Sequence, residues 1–162
     1  MGKQQKTNAI RLLESACVPH EVFTYDASDG KIDVLAVAEK IGKNPSELFK
    51  TLVARSGKNI YVFCIPGGSE LNLKKAARAA EEKNIELTAV KELLPLTGYV
   101  RGGCSPLGMK KNYPLFIDIQ AEGRSRIIIS AGAIGIQISA SPADIIKLTG
   151  AVTADLCMDA GI

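Results

Sequence analysis

The chain has 162 residues, a formal net charge of +3 and 46% hydrophobic residues, so it can form one ordinary domain whose core needs no disulfide or metal. Its four cysteines lie far apart and it has a single histidine, which argues against a zinc cluster, another metal site or a disulfide framework. Because the net charge is mild, any nucleic-acid binding must come from local clusters of cations.

The beginning of the chain and its hydropathy bear on location. Residues 1–7 are rich in Lys and Gln and have no apolar signal core, and no apolar run approaches the roughly 18 residues of a membrane span. We therefore expect a cytoplasmic protein that requires no cofactor and does not enter a membrane. Residues 1–162 are predicted to form a single domain in which residues 1–6 are disordered.

The first half of the chain alternates short helices with strands. Apolar spacing, capping residues and glycine stops mark each element. The predicted elements are a helix at 8–15, a strand at 21–25, a helix at 33–41 ended by Gly42, one helical turn from Asn44 to Glu47, a hairpin of strands 50–55 and 59–66, a helix at 73–82 capped by Asn72, and a short helix at 89–94 capped by Thr88.

The second half is richer in strands. Runs of β-branched residues separated by tight turns predict strands at 115–119, 126–131 and 134–139. A helix begins at Ser141 and ends at Gly150, and 151–156 forms a closing strand. Without a linker or a repeat, the pattern predicts one α+β domain with a largely antiparallel or mixed, strongly curved sheet.

Lys50 lies between apolar neighbours in a predicted strand. Residues two apart in a strand share a face, so Lys50 is on the face of Leu48, Leu52 and Ala54. An ammonium on an apolar face needs a partner or a wet cleft. Two interpretations are open: Lys50 points inward to an anionic or carbonyl group of a substrate, or it reaches solvent on its long stem.

Gly102 and Gly103 begin a loop that continues through Pro106 to Gly108. Consecutive glycines can present backbone N–H groups to an oxyanion or a phosphate, and the proline stiffens the loop behind them. A plain turn uses the same residues, and the spacing fits neither a P-loop nor a dinucleotide fingerprint. We predict that this loop and Lys50 together form an active site.

Cys104 lies inside the same loop and raises another enzymatic interpretation, a thiol hydrolase. Such an enzyme needs a base beside its thiol. The single histidine, His20, is distant in sequence, so this interpretation depends on the two residues meeting in the fold.

Cations cluster in two places. Lys74, Lys75 and Arg78 lie near one face of a predicted helix, and Lys110 and Lys111 follow the glycine loop. Such clusters can bind phosphates, although solvated helix faces have the same composition. The basic pair beside a candidate catalytic loop favours RNA, because the charged part of the substrate would then lie next to its reacting part.

Several motifs in fixed order carry a resemblance to a known family. They are FKTL at 49–52, LNLKKAA at 71–77, TGYV at 97–100 and GGCSPLG at 102–108, followed by Lys110 and Lys111. The chain resembles, over nearly its whole length, the YbaK/EbsC family of Cys-tRNA(Pro) deacylases, which is related to the editing domain inserted in bacterial prolyl-tRNA synthetases. The resemblance implies a curved, barrel-like mixed sheet surrounded by helices.

The resemblance also implies an activity and a set of site residues. It implies hydrolysis of mischarged aminoacyl-tRNA in trans, with the acceptor end of tRNA as substrate and prolyl-tRNA synthetase as a partner. The family's catalytic lysine and tyrosine fall on Lys50 and Tyr25, and its paired glycines on Gly102 and Gly103. The substrate-binding residues expected beside them are Thr51, Ser105, Pro106, Ser130, Gly132 and Gln137.

The chemistry of such a substrate needs few side chains. An aminoacyl ester is already activated, so hydrolysis needs a polarised carbonyl, a positioned nucleophile and a proton for the departing ribose oxygen. The thiol of an esterified cysteine can attack its own carbonyl, as the resemblance suggests. In this hypothesis the amides of Gly102 and Gly103 hold the oxyanion, Lys50 binds the terminal phosphate or carbonyl, and Tyr25 orients the ribose or amino group.

One position departs from the family pattern. Where the best-known members have an aspartate, this chain has Gln137, which cannot pair as an anion with the substrate's α-ammonium or with a lysine. The preferred amino acid is therefore open. So is an alternative of another class, a non-catalytic relative that binds tRNA ends or a synthetase without cleaving.

Overall fold

The computed structural model describes residues 6–159. The predicted disorder at 1–6 lies outside the described residues except for Lys6, whose ammonium bonds Glu14 at 3.3 Å. The helices are α1 Asn8–Ser15, α2 Val34–Ile41, α3 Leu73–Ala79, α4 Leu93–Thr97 and α5 Pro142–Thr149. The strands are β1 Glu21–Thr24, β2 Phe49–Ser56, β3 Asn59–Pro66, β4 Glu86–Leu87, β5 Leu115–Asp118, β6 Ile127–Ala133, β7 Ile136–Ala140 and β8 Val152–Ala154.

The helix ends follow from local chemistry. Side-chain oxygens of Thr7, Asp33 and Ser141 accept the first free amides of α1, α2 and α5, as N-caps do. Gly42 and Gly150 end α2 and α5 in the left-handed conformation, with φ of 70° and 73°, which glycine adopts without strain. These boundaries agree with the predicted ones.

Two predicted helices differ from the observed ones. The third ends at Ala79 because Glu81 takes a left-handed φ of 58° and the amide of Glu82 turns back to Ala77 O. The fourth is not capped by Thr88, whose hydroxyl and amide both donate to Val53 O. It consists of a 3-10 turn, Val90–Glu92, followed by α4.

The strands are divided between two sheets. One has five strands in the order β4-β2-β3-β5-β8, with β5 parallel to both of its neighbours and the other pairs antiparallel. The other is antiparallel, with the order β1-β7-β6. A single parallel bridge between Leu48 and Ile128 connects β6 with the beginning of β2. The predicted α+β class with a mixed sheet is confirmed. Among the described elements, the short edge strand β4 and a 3-10 helix at Ile119–Ala121 were not predicted.

The alternation along β2 places two hydrophobic cores on opposite faces. Phe49 and Val53 pack in the larger core with α1, β6 and β7, whereas Leu52 and Ala54 pack with α3. Lys50 is therefore on the α3 side of the sheet, as its parity predicts. None of the described helices has the length and apolar character needed to cross a membrane.

Candidate active site

A small pocket of about 120 Å³ lies where the two sheets meet. The beginning of β2 contributes one wall, α2 a second, and the β6–β7 pair with the glycine loop the rest. Its lining residues are Ile32, Val34, Val37, Leu48, Phe49, Lys50, Thr51, Gly102, Cys104, Ser130 and Gln137. A cavity of roughly 150 Å³ holds a benzene-sized group, so this pocket suits a small side chain.

Lys50 and Gly102, which are 52 positions apart, line the same pocket. Leu48, two residues before the lysine, is 3% exposed and is anchored by its bridge to Ile128 and by the Gly67 amide, which donates to its carbonyl at 2.8 Å. This anchored start of β2 fixes where the lysine stem leaves the sheet. The convergence of the lysine and the glycine loop is thus present in the fold.

Ser130 and Gln137 reach the pocket as a cross-strand pair. They are register partners on β6 and β7, which places their side chains on one face. A bulge follows Ser130 in β6, and the Oγ of Ser130 accepts a hydrogen bond from the Gly132 amide at 3.1 Å. Gln137 is 7% exposed and occupies the central strand of its sheet.

The glycine loop begins with a tight turn. The amide of Gly103 donates to Val100 O at 2.9 Å, and Gly102 has a φ of 86°, the geometry of a type II turn with glycine at its third position. The Gly103 amide is therefore already paired. The expectation that Gly102 and Gly103 both hold an oxyanion is wrong for Gly103, and Gly102 is the glycine that lines the pocket.

Gly103 has a packing role instead. A Cβ atom placed on it would lie 2.9 Å from the amide nitrogen of Ile134 and 3.0 Å from the carbonyl carbon of Ala133. Only glycine allows the loop to approach the β6–β7 turn this closely. Because Ser130 is on the same hairpin, this contact sets the distance between the loop and the serine.

Three of the predicted substrate-binding residues lie away from the pocket wall. Ser105 is fully buried, and its Oγ accepts the Leu107 amide at 3.2 Å. Pro106 lines a separate cavity of about 220 Å³. Gly132 has a φ of 99° and lies against the ring of Tyr99: a Cβ atom placed on Gly132 would be 2.7 Å from Tyr99 Cε1. None of these three residues belongs to the described lining of the small pocket.

Tyr99 connects the same two segments and was not predicted as a site residue. Its hydroxyl lies 2.7 Å from Leu107 O and 3.0 Å from Gly108 O, while its ring covers Gly132. Burial raises the pKa of this phenol to about 12, so it stays a hydrogen-bond donor at neutral pH. The TGYV motif carried the signal for this residue, but its partners are known only from the fold.

Thr51 lines the small pocket, whereas Tyr25 lies behind the pocket wall. Thr51 lines the pocket beside Lys50 and pairs in register with the buried Cys64. Tyr25 packs behind the wall formed by Val37 and Leu48. Its hydroxyl is buried with no hydrogen-bond partner among the described residues, and it does not line the pocket.

Cys104 lines the pocket but is poorly suited to act as a nucleophile. It is 8% exposed, and burial raises the pKa of its thiol to about 11, so the reactive thiolate is scarce at neutral pH. His20 does not line this pocket, and its Nδ1 lies 2.8 Å from Val18 O. Among the described residues that line the pocket there is no histidine, aspartate or glutamate to act as the base that a thiol hydrolase needs.

A larger cavity of about 930 Å³ adjoins the small pocket. The two share Ile32, Val34, Lys50, Thr51 and Gly102 in their linings. The larger cavity is further lined by Arg101 and Arg124, which no sequence motif predicted as site residues. Arg101 follows the TGYV motif and Arg124 lies before β6, so no local pattern relates them.

The charge of the larger cavity is mainly positive. Its described lining includes the cations Lys50, Arg101 and Arg124 and one carboxylate, Asp33. Asp33 Oδ1 is engaged as the cap of α2, accepting the Ala36 amide at 2.9 Å. Several cations around a cavity attract a polyanion.

The cations predicted to bind RNA are placed elsewhere. Lys75 is tied to Asp155 and Asp159 at 3.1 and 3.2 Å, and the hydrogen bond with Asp155 is the main cause that raises its pKa. Lys74 and Arg78 are exposed on α3 and line neither cavity of the site.

The basic pair after the glycine loop also points away from the site. Lys111 lines the separate cavity near Pro106, and Lys110 is exposed, with its ammonium 3.5 Å from Pro95 O. Within residues 6–159, no group of three or more His, Cys, Asp and Glu side chains is placed to hold a metal ion.

The fold agrees with comparisons to known proteins. The sequence pattern of the aminoacyl-tRNA editing domain matches residues 31–148, a span that contains both cavities' lining residues. The chain belongs to the aminoacyl-tRNA editing domain family.

Individual relatives narrow this class. The chain is 42% identical, over 94% of each protein, to EbsC of Enterococcus faecalis, which is named as a candidate Cys-tRNA(Pro)/Cys-tRNA(Cys) deacylase. It is 28% identical over 98 residues to a proline–tRNA ligase of Shouchella clausii, of which it covers 17%. A solved structure described as a candidate trans-editing enzyme for prolyl-tRNA synthetase superposes with a TM-score of 0.83 at 25% identity, covering 96% of this chain and all of the other.

Proposed function

We propose that the protein hydrolyses mischarged aminoacyl-tRNA in trans, with Cys-tRNA(Pro) as its main substrate. The observation that carries the proposal is the junction of a small pocket with a cationic cavity, at which Lys50, Thr51 and Gly102 belong to both linings. An aminoacylated tRNA end has the matching form, a small acyl group joined through an ester to a nucleotide with phosphates. Family membership and the similarity to EbsC support the same reaction.

The roles of the residues follow from this arrangement. The acyl side chain enters the small pocket, and the terminal nucleotide occupies the larger cavity. Lys50 at the junction binds the terminal phosphate or the ester carbonyl, and the Gly102 amide donates to the oxyanion as the carbonyl is attacked. Arg101 and Arg124 bind the preceding phosphates, since guanidinium groups match phosphate geometry.

The nucleophile comes from outside the protein. The Cys104 thiol is held protonated by burial, and the described lining of the pocket contains no other side chain that is a nucleophile with a base beside it. A cysteinyl ester supplies its own thiol: a C–S bond forms as the C–O ester bond breaks, and the thiol proton passes to the departing ribose oxygen. Water then opens the resulting cyclic thioester to free cysteine. This gives cysteine an advantage over alanine or proline, which have no internal nucleophile.

We place the reaction in translation, in the cytoplasm, and propose prolyl-tRNA synthetase as a partner. Support comes from the similarity to part of a proline–tRNA ligase and from the structural likeness to a candidate trans-editing enzyme for such a synthetase. A complex would deliver mischarged tRNA to the deacylase before it dissociates.

The direct test is a deacylation assay on Cys-tRNA(Pro), Ala-tRNA(Pro) and Pro-tRNA(Pro). We expect the cysteinyl ester to be cleaved fastest, and Lys50→Ala to lower kcat/KM by about 10- to 100-fold, the effect of losing a charged hydrogen bond. Lys111→Ala is the matched control, because it removes an exposed lysine that lines another cavity. An equal rate for Lys50→Ala and wild type would remove the lysine from the mechanism.

The arginines are tested by salt dependence. Removing one cation that binds a phosphate should reduce the slope of log(1/KM) against log[salt] by about 0.7 for single-stranded RNA. We expect this change for Arg124→Gln and Arg101→Gln and not for Arg78→Gln on α3. Protein that binds tRNA without cleaving any ester would instead favour the non-catalytic alternative, and Gln137→Asp would then be examined for a gain of activity.

A further inference from the structure

The side-chain carboxamide of Gln137 is a polar group of the small pocket that a ligand can reach. It is 7% exposed and lines the small pocket, and its backbone is held on both sides by Phe23 and Ser130 in the ladder. The structure shows no hydrogen bond from its carboxamide to another described residue. Because the carboxamide lines the pocket and is not used in the described fold, it is available to hydrogen-bond a group of the ligand.

The charges facing this carboxamide have one sign. Among the described residues that line the pocket, Lys50 and Cys104 are the titratable ones, and the thiol is neutral because burial raises its pKa to about 11. The adjoining cavity adds Arg101, Arg124 and Asp33, of which the carboxylate is committed to the cap of α2. The pocket wall thus offers a cation and no carboxylate.

We infer that this pocket binds the substrate's α-amino group in its neutral form, with the Gln137 carboxamide as its hydrogen-bond partner. The inference rests on the proposed function, since that function supplies the aminoacyl group. Free α-amines titrate near pH 7.7–8.0, so both forms are present at neutral pH. Desolvation and the lysine ammonium both disfavour the charged form, whereas the amide N–H of glutamine can donate to a neutral nitrogen.

The test uses stable analogues whose ester is replaced by an amide. Acceptor-stem RNA hairpins ending in 3′-amino-3′-deoxyadenosine are acylated with alanine or with lactic acid, which has a hydroxyl in place of the amine. Calorimetry between pH 6 and 9, in buffers of different ionisation heat, gives affinity and proton release. Dividing the affinity of the alanyl hairpin by that of the lactyl hairpin removes the effect of every titrating group that the two complexes share and leaves that of the amine.

We expect the ratio of alanyl to lactyl affinity to rise about tenfold per pH unit below the amine's pKa, because each unit raises the neutral fraction tenfold. Binding of the alanyl hairpin at pH 7 should release close to one proton more than binding of the lactyl hairpin. A ratio that stays flat or falls with pH, without proton release, overturns the inference. Absence of binding by both hairpins overturns it as well.

A nearly isosteric variant reverses the charge preference. Gln137→Glu places a carboxylate in the pocket, so we expect the alanyl-to-lactyl ratio at pH 6 to rise at least tenfold over wild type. Asn84→Asp is the control, because it adds the same charge at an exposed position that lines neither cavity of the site and should leave the ratio unchanged. If Gln137→Glu does not fold, the wild-type measurement still decides.

The outcomes separate this inference from the proposed function. Esters that are hydrolysed while the ratio is insensitive to pH would refute the protonation state alone. A pH-dependent ratio in a protein that cleaves no ester would refute the catalytic proposal and leave the recognition of the neutral amine supported.

Discussion

The contact between Gly103 and the β6–β7 turn gives a sharp test of how the site is assembled. In Gly103→Ala the new Cβ would lie 2.9 Å from Ile134 N, and 3.0 and 3.1 Å from the carbonyl carbon and Cα of Ala133. Carbon atoms in good contact are about 3.5–4.0 Å apart, so loop and hairpin must separate by roughly half an ångström. All three neighbours are backbone atoms and cannot rotate away.

The expected loss follows from that overlap. Overpacking of a well-packed site costs about 1–3 kcal/mol, and we expect Gly103→Ala to lower the free energy of unfolding by about 2 kcal/mol. The deacylation rate should fall as well, because the shift moves Gly102 relative to Ser130. Urea denaturation at 25 °C measures the first effect and the assay on Cys-tRNA(Pro) the second.

Two other glycines serve as controls. At Gly68 an added Cβ would have no atom within 4 Å, and the residue has no left-handed φ, so Gly68→Ala should leave stability unchanged or raise it by about 0.4–1 kcal/mol. Gly123 has open space but a φ of 80°, so Gly123→Ala isolates the backbone penalty of about 1–2 kcal/mol. A Gly103→Ala protein within about 0.5 kcal/mol of wild type and equally active would refute the packing argument.

Two further predictions concern buried acids. At pH 7.5 iodoacetamide should label the exposed Cys17 and spare Cys104, so alkylation monitored by mass spectrometry should leave activity intact; inactivation that Cys104→Ser prevents would contradict this. Burial raises the pKa of Cys64 from 9.0 to about 12 and that of Tyr99 from 10.0 to about 12. Because the folded state holds these protons more tightly, the contribution of Cys64 to stability is lost between pH 9 and 12 and that of Tyr99 between pH 10 and 12, each by about 1.4 kcal/mol per pH unit. Urea midpoints that stay constant from pH 8 to 11 would refute the assignment.

Much of the fold could be predicted because its signals are local. Capping residues and stop glycines fix α1, α2 and α5, and the alternation along β2 correctly places Leu52 and Ala54 on one face and Val53 on the other. The missing elements have weak local signals. The strand β4 is two residues long and depends on its pairing with β2, which no sequence pattern announces.

The site was predictable in part for the same reason. The sequence motifs pointed to Lys50 and Gly102, and the family resemblance pointed to Gln137; these three residues share a pocket. Arg101 and Arg124 could not be found, because they come together only through packing.

The roles of single groups were not predictable from the motifs. The Gly103 amide is paired with Val100 O in a local turn, and Lys75 forms ion pairs with Asp155 and Asp159 that the tertiary fold brings together. From the sequence, both groups were expected to be free to bind a substrate. In the structure, the amide is hydrogen-bonded and the ammonium is ion-paired. A motif identifies residues near a site more reliably than it identifies which of their hydrogen-bonding groups remain free.

The single bridge between Leu48 and Ile128 has a consequence for how such a protein can diverge. Lys50 is on one hydrogen-bonded sheet and Gln137 is on the other. Under the proposed function, the residue that binds the nucleic acid and the residue that selects the amino acid can therefore change independently. A substitution on β7 can retune which acyl group is accepted while the ladder of β2 and β3 stays intact. New editing specificities can therefore arise by single steps without passing through a form that has lost its hold on tRNA.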